Sequence, residues 1–218
     1  MIVVRNWTHL PKTEPVDADE ARAVLAWPEG VTLAVHTGNM GSKQGLENVV
    51  DAARLAEMHG IPVHFLLVGD GGERRFLQER AQGISKITFV DPLGDAEYRL
   101  ALGAADVLVV NERPGVSGMA VPSKLTSYFD AGKPVVAATD PDGITATEVR
   151  AAEAGTVVTA GDPEALLDAI VQLTADPQAM ARFGANGRSY RESELDQDAA
   201  IARWVMVIDQ LSAGGKPM

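Results

Sequence analysis

Val31-Thr32-Leu33-Ala34-Val35-His36, then Thr37-Gly38-Asn39-Met40-Gly41-Ser42-Lys43-Gln44-Gly45, then the amphipathic segment Leu46–Met58, is the stretch that decides how this chain folds. A short run of apolar residues without polar alternation reads as a strand buried on both faces, the pattern of a parallel sheet. The glycine-rich turn feeds a helix-length segment, which makes the first part of a βαβ unit. The same alternation recurs downstream. Apolar runs at Val63–Val68, Ile87–Val90, Val107–Val110, Val135–Ala138 and Thr156–Thr159 alternate with the segments Glu73–Ala81, Ala96–Leu102, Ser123–Asp130 and Thr145–Ala152. With right-handed crossovers this predicts an α/β domain, a doubly wound six-stranded parallel sheet in the order 3-2-1-4-5-6.

The flanks read differently. Met1-Ile2-Val3-Val4-Arg5-Asn6-Trp7 is a short apolar run that stops at a polar turn, and Pro11, Pro15 and Pro28 break any long element after it. The expectation is an arm with a short helix at Asp19–Trp27. Beyond the last strand, Asp162-Pro163-Glu164 opens a helix to about Ala175, with Asp at the cap and Pro in the first turn. Asp176-Pro177 repeats the signal. A final amphipathic helix over Asp196–Leu211 places Ile201, Trp204, Val205 and Ile208 on one stripe, and a frayed tail follows.

The 218 residues hold 19 Lys and Arg against 30 Asp and Glu, a net charge of −11, with 46% apolar residues and no cysteine. The acidic balance argues against nucleic acid as a partner, since that binding needs a basic face. The lack of cysteine excludes a disulfide scaffold, a thiolate zinc site and a cysteine nucleophile, and it suits a reducing compartment. No apolar run approaches the roughly 18–20 residues of a membrane-spanning helix. A cytoplasmic globular protein is expected.

In an open parallel sheet, ligands bind outside the carboxyl ends of the strands, where the strand order reverses. After strand one, Gly38, Gly41 and Gly45 allow close backbone approach to a ligand, and they equally suit a plain strand-to-helix turn; Lys43 adds a positive charge. Their spacing fits neither the P-loop nor the dinucleotide fingerprint. Gly69-Asp70-Gly71-Gly72, after strand two, carries the same two readings. Val90-Asp91-Pro92-Leu93-Gly94-Asp95 could offer backbone groups to a nucleobase edge. After strand four, the loop from Asn111 to Val121 holds Glu112, Arg113, Gly115, Ser117 and Gly118 and runs into Pro122-Ser123-Lys124, a helix start with Pro at the favoured first position. A cation in that first turn opposes the helix dipole by roughly a few tenths of a kcal/mol. Local conflicts of this kind are expected at functional positions. His36, His59 and His64 read as packed or turn residues. There is no HExxH, no Cys/His cluster, no Asp-rich loop and no nucleophile elbow, so no metal is expected and no catalytic residue is assigned.

In their order and spacing these pieces resemble the C-terminal, donor-binding domain of retaining glycosyltransferases of the GT-B fold, the GT4 or group 1 family. The resemblance runs from Asn6 to Trp204. Asn6-Trp7 is similar to the end of the interdomain strand, and Gly38 to Glu47 to the first donor-domain loop. Leu67-Val68-Gly69-Asp70-Gly71 matches the second strand. Val121-Pro122-Ser123-Lys124-Leu125 with Ala131-Gly132-Lys133-Pro134-Val135 looks like the "PSK…GKPV" element of bacterial polysaccharide members, and Ala160 to Leu166 the start of the helix after strand six.

The resemblance implies the Rossmann-like half of a GT-B fold, binding a UDP- or GDP-sugar as donor substrate with no further cofactor, in surface polysaccharide or glycolipid synthesis. It places donor contacts at Gly38, Asn39, Gly41, Lys43, Gly69, Val90, Gly118, Val121, Pro122, Ser123, Lys124 and Ser127. Lys43 falls on the loop lysine that neutralises the donor diphosphate, whereas Asn39 stands where the family has arginine. The family's Glu-x7-Glu motif, anchored on Gly132, lands on Met119 and Ser127, neither acidic, which leaves Ser123 and Lys124 as substitutes. The implied division is an interdomain arm at 1–30, a nucleotide-sugar-binding domain at 31–190, a crossing helix at 191–211 and a tail at 212–218. An acceptor-binding N-terminal domain would be missing, so this chain alone is expected not to transfer sugar, and membrane contact would come only through that other domain. The alternative is a non-catalytic nucleotide-sugar-binding module or an epimerase-like protein.

Overall fold

The computed structural model describes residues 13–116 and 123–212. The features at Met1–Trp7, at Ser117, Gly118, Met119, Val121 and Pro122, and in the tail from residue 213 lie outside those residues.

Among the described residues, β1 (Thr32–Thr37), β2 (Val63–Val68), β3 (Ile87–Val90), β4 (Val107–Asn111), β5 (Val135–Thr139) and β6 (Gly155–Thr159) form one sheet. Its order is β3-β2-β1-β4-β5-β6 and each neighbouring pair is parallel. This is the predicted topology. The helices, in chain order, are α1 (Ala18–Leu25), α2 (Glu47–Met58), α3 (Arg74–Arg80), α4 (Asp95–Ala104), α5 (Lys124–Asp130), α6 (Ile144–Ala151), α7 (Pro163–Thr174), α8 (Pro177–Glu194) and α9 (Gln197–Ser212).

Successive strand residues point to opposite faces, so an unbroken apolar run needs a cover on each side. Phe65 and Leu67 of β2 pack with Val49 and Val50 of α2 and Leu166 and Ile170 of α7. Leu66 and Val68 pack instead with Ala101 of α4 and with Leu125 and Tyr128 of α5. Each such side chain taken fully out of water contributes about 1.5–3 kcal/mol before entropy is counted.

The segment before β1 is tied into this core. Arg22 of α1, buried, donates from Nε to the Ala104 carbonyl at 2.9 Å and pairs with Asp106 at 2.7 Å. The same Asp106 oxygen accepts from the Leu33 amide at 2.8 Å, so one carboxylate joins α1 to the start of β1.

The Asp-Pro signals behave as predicted. Asp162 accepts from the Ala165 amide at 2.9 Å, and Asp176 caps α8 through the Gln178 and Ala179 amides. Asp162→Ala is expected to lose about 1 kcal/mol of stability, a drop of roughly 2–4 °C in Tm for a chain of this size. Thermal unfolding followed by circular dichroism checks it; an unchanged Tm would mean that the cap contributes nothing.

At the far end, α8 runs through residue 191 to Glu194, and Arg191, buried, pairs with Asp130 of α5 at 3.0 Å. The stripe on α9 lies in solvent: Ile201, Trp204, Val205 and Ile208 are all exposed.

Candidate functional site

The strand order reverses between β1 and β4. From β1 the chain turns to α2 on one face of the sheet, and from β4 it turns to α5 on the other. The carboxyl ends of these two strands therefore border the crevice where a ligand is expected.

The turn after β1 is built by backbone hydrogen bonds that prolong the sheet. Gly38 N–H donates to Val68 O and Met40 N–H to Asp70 O, both at 2.8 Å, and Gly69 N–H donates to Val90 O at 2.9 Å. Gly38 and Gly69 have φ of 109° and 134°, in the region that favours glycine. A Cβ on Gly69 would lie 2.1 Å from the Gly38 carbonyl oxygen. Gly69 is thus required by the close approach of the Gly38 backbone and Gly38 by its own φ, which gives the second loop a structural reason for its first glycine.

The rest of the first loop is pinned from β4. Asn111, buried at the strand end, donates to the Gln44 and Gly45 carbonyls at 2.8 Å and accepts from Asn48 at 2.8 Å. The Arg113 amide donates to Lys43 O at 2.9 Å. This fixes a 3₁₀ turn at Ser42–Gln44 that presents Lys43 to solvent.

Lys124 is the first residue of α5, and its ammonium turns toward β1 rather than outward. Nζ lies 3.0 Å from Nε2 of His36 and 3.8 Å from where a Cβ on Gly38 would stand. The imidazole is fully buried, with Nδ1 3.1 Å from the Val109 carbonyl. Nδ1–H donates to that carbonyl, which leaves Nε2 as the acceptor for the ammonium. Burial first, and the adjacent ammonium second, hold the His36 pKa well below its usual value, with the Val109 and Asn39 carbonyls pulling the other way. His36 is neutral. Burial likewise lowers Lys124 to about 8, opposed by the charge of Glu112. Glu112 accepts hydrogen bonds from the hydroxyls of Thr145, at 2.5 Å, and of Thr139.

One turn along α5, the Tyr128 hydroxyl accepts from the Thr37 amide at 2.9 Å, and the Tyr98 hydroxyl of α4 meets Thr37 Oγ1 at 3.2 Å. The end of β1 is thus tied to both helices. Burial pushes the Tyr128 pKa up, so its proton stays on. Between α4 and α5 runs a cavity of about 410 Å³ lined by Asp95, Tyr98, Arg99, Ser127 and Asp130, among others.

The structure gathers Gly38, Asn39, Gly41, Lys43, Gly69 and Lys124 at the ends of β1 and β2 and the start of α5. Gly41 N–H donates to the Gln44 side chain at 3.1 Å, and Asn39 is exposed. The Val90 carbonyl is taken by Gly69, and its side chain packs into the core. Ser123 is the exposed N-cap of α5 but makes no side-chain capping bond; Ser127 faces the α4–α5 cavity. Gly118, Val121 and Pro122 lie outside the described residues. Two partners of this cluster, His36 and Glu112, were not singled out as site residues by the sequence reading. The only signal for His36 was a polar residue near the end of a run otherwise buried on both faces.

A doubly wound α/β domain with a partly buried cation at the point of strand reversal has the form of a Rossmann-like domain. Within that class, the chain belongs to the glycosyl transferases group 1 family, which it matches over residues 32–176. It is 31% identical, over 137 residues, to an Escherichia coli K12 protein named as the colanic acid biosynthesis glycosyl transferase WcaI; the match covers 61% of this chain and 33% of that protein. Among solved structures, sucrose-phosphate synthase from Thermosynechococcus elongatus superposes with a TM-score of 0.72 at 27% identity, over 97% of this chain and 53% of the other. Anabaena HepE, solved in complex with UDP, gives a TM-score of 0.71 at 21% identity, over 92% of this chain and 54% of HepE. The chain therefore spans from about a third to about half of these relatives' lengths. Among the described residues, no helix is long and apolar enough to cross a membrane, and no group of three or more His, Cys, Asp or Glu could hold a metal.

Proposed function

We propose that this chain binds the nucleoside diphosphate of a UDP- or GDP-sugar beside the Gly38 turn and serves as the donor half of a retaining glycosyltransferase in surface polysaccharide or glycolipid synthesis. One observation carries the reading: the Lys124 ammonium, withdrawn from bulk water and fixed against neutral His36 at the Gly38 turn. A charge held in such surroundings attracts a phosphate more strongly than one in water. The leaving group of the transfer is that same diphosphate, so the cation also stabilises the negative charge that develops on it. Lys43, exposed on its pinned turn, supplies a second positive charge. Family membership and the UDP held by HepE support the choice of ligand.

In this reading no cofactor takes part, the setting is cytoplasmic, and the acceptor is presented by a separate domain that also makes any membrane contact. Calorimetry with UDP, GDP and inorganic phosphate tests it. One of the two nucleotides is expected to bind well above phosphate, and failure of both to bind would overturn the proposal. Robust acceptor-dependent turnover by the 218-residue chain alone would overturn the division of labour.

A further inference from the structure

We infer that His36 is a positioning residue: its Nε2 holds the Lys124 ammonium at the Gly38 turn, so that a full positive charge is presented to a ligand phosphate. The inference rests on the reading of Lys124 as a phosphate contact. A lysine side chain is a flexible four-carbon stem that loses rotamer entropy when fixed, and at the first position of α5 the helix dipole repels its charge. Something must hold it in place, and the residue that does so decides what charge remains.

A carboxylate in direct contact would hold the ammonium and cancel it. A neutral imidazole holds it and leaves the charge intact. His36 is locked into that role because Nδ1–H is tied to Val109 O, which fixes Nε2 as an acceptor, and because a second positive charge 3.0 Å from Nζ is disfavoured. The carboxylate facing Lys124, Glu112 at the end of β4, has its two oxygens occupied by the hydroxyls of Thr139 and Thr145. The remaining titratable groups around the end of β1, Tyr128 on α5 and Tyr98 on α4, bond to Thr37 instead. Each neighbour thus has its own partner, and among the described residues only His36 hydrogen-bonds the ammonium.

The test uses two amide substitutions and a nucleotide-free readout. In His36→Asn the amide reaches the Val109 carbonyl but offers nothing in place of Nε2; in His36→Gln the amide oxygen can take the place of Nε2. The Lys124 ε-methylene signal is followed by NMR against pH without ligand, and UDP and GDP affinities are measured by calorimetry. In His36→Asn the Lys124 titration is expected to fall below its value of about 8, because the charged form loses its acceptor, while His36→Gln keeps it. The affinity of the better nucleotide is expected to fall about tenfold in His36→Asn and to be largely restored in His36→Gln. In a Lys124→Met background the His36→Asn change should cost nothing more. An unmoved Lys124 titration, or an equal affinity loss with Lys124 already removed, overturns the inference. Failure of the parent chain to bind either nucleotide overturns the proposed function, and the ligand-free titration then still decides whether His36 holds the ammonium.

Discussion

Gly69→Ala is expected to melt about 10 °C below the parent chain, a larger loss than an exposed loop substitution produces. Two effects add. At φ 134° an alanine is strained by about 1–3 kcal/mol. Its Cβ would also lie 2.1 Å from the Gly38 carbonyl oxygen, a backbone atom that cannot swing away like a flexible side chain, and such overpacking costs about 1–3 kcal/mol. A combined loss near 3–4 kcal/mol converts at roughly 2–4 °C per kcal/mol for a chain of this length. The damage is also local to the site. If Gly38 moves to relieve the contact, the turn beside the Lys124 ammonium moves with it, so nucleotide affinity should fall together with Tm. Gly72→Ala, in the same loop, meets no atom within 4 Å and is the control, expected to melt with the parent. Calorimetric melting of the three chains checks this, and a Gly69→Ala chain that melts with the Gly72→Ala control would refute the close-packing argument.

The sheet was legible in the sequence because burial on both faces leaves a one-dimensional mark. Phe65, Leu66, Leu67 and Val68 are consecutive and apolar because two separate helical layers each claim alternate members. Strand order followed from crossover handedness, and α7 and α8 from capping chemistry confined to three or four adjacent residues. What the sequence did not carry was contact between distant side chains. His36 and Lys124 meet across 88 residues, and neither residue's neighbours in the chain announce the other. Glu112 reaches Thr139 and Thr145 in the same way, through the adjacency of β4, β5 and α6. Periodicity on α9 was right about which residues share a stripe, and Ile201, Trp204, Val205 and Ile208 do so, but a period fixes a face and not what covers it. The lysine in the first turn of α5 was the exception. It was conspicuous in the sequence because it breaks a local rule, and the structure shows it turned inward, away from the position its helix would favour.

Removing both cations should have the largest effect on ligand affinity. Each charge-assisted contact to the diphosphate is worth about 1.5–3 kcal/mol, so Lys43→Ala and Lys124→Ala should each weaken the better of UDP and GDP by roughly tenfold to a hundredfold. The double variant should lose roughly a hundredfold to ten-thousandfold if the two act independently. The two lysines are separable by pH. With its pKa lowered to about 8, Lys124 is charged at pH 7 and loses its charge as pH rises through that value. A bound diphosphate favours the charged form, and its own terminal ionisation, near pH 6, is already complete. Affinity should therefore fall above pH 8, by at most about tenfold per pH unit. The fall should survive in Lys43→Ala and vanish in Lys124→Ala. Salt separates them again: Lys43 is exposed and should be screened more strongly than the desolvated Lys124, so the Lys43→Ala chain should show the weaker dependence on ionic strength. Titration calorimetry at pH 7, 8 and 9, at two salt concentrations, measures all of these terms. A pH-dependent fall that persists in Lys124→Ala would place the titrating group elsewhere and remove the observation on which the phosphate site rests.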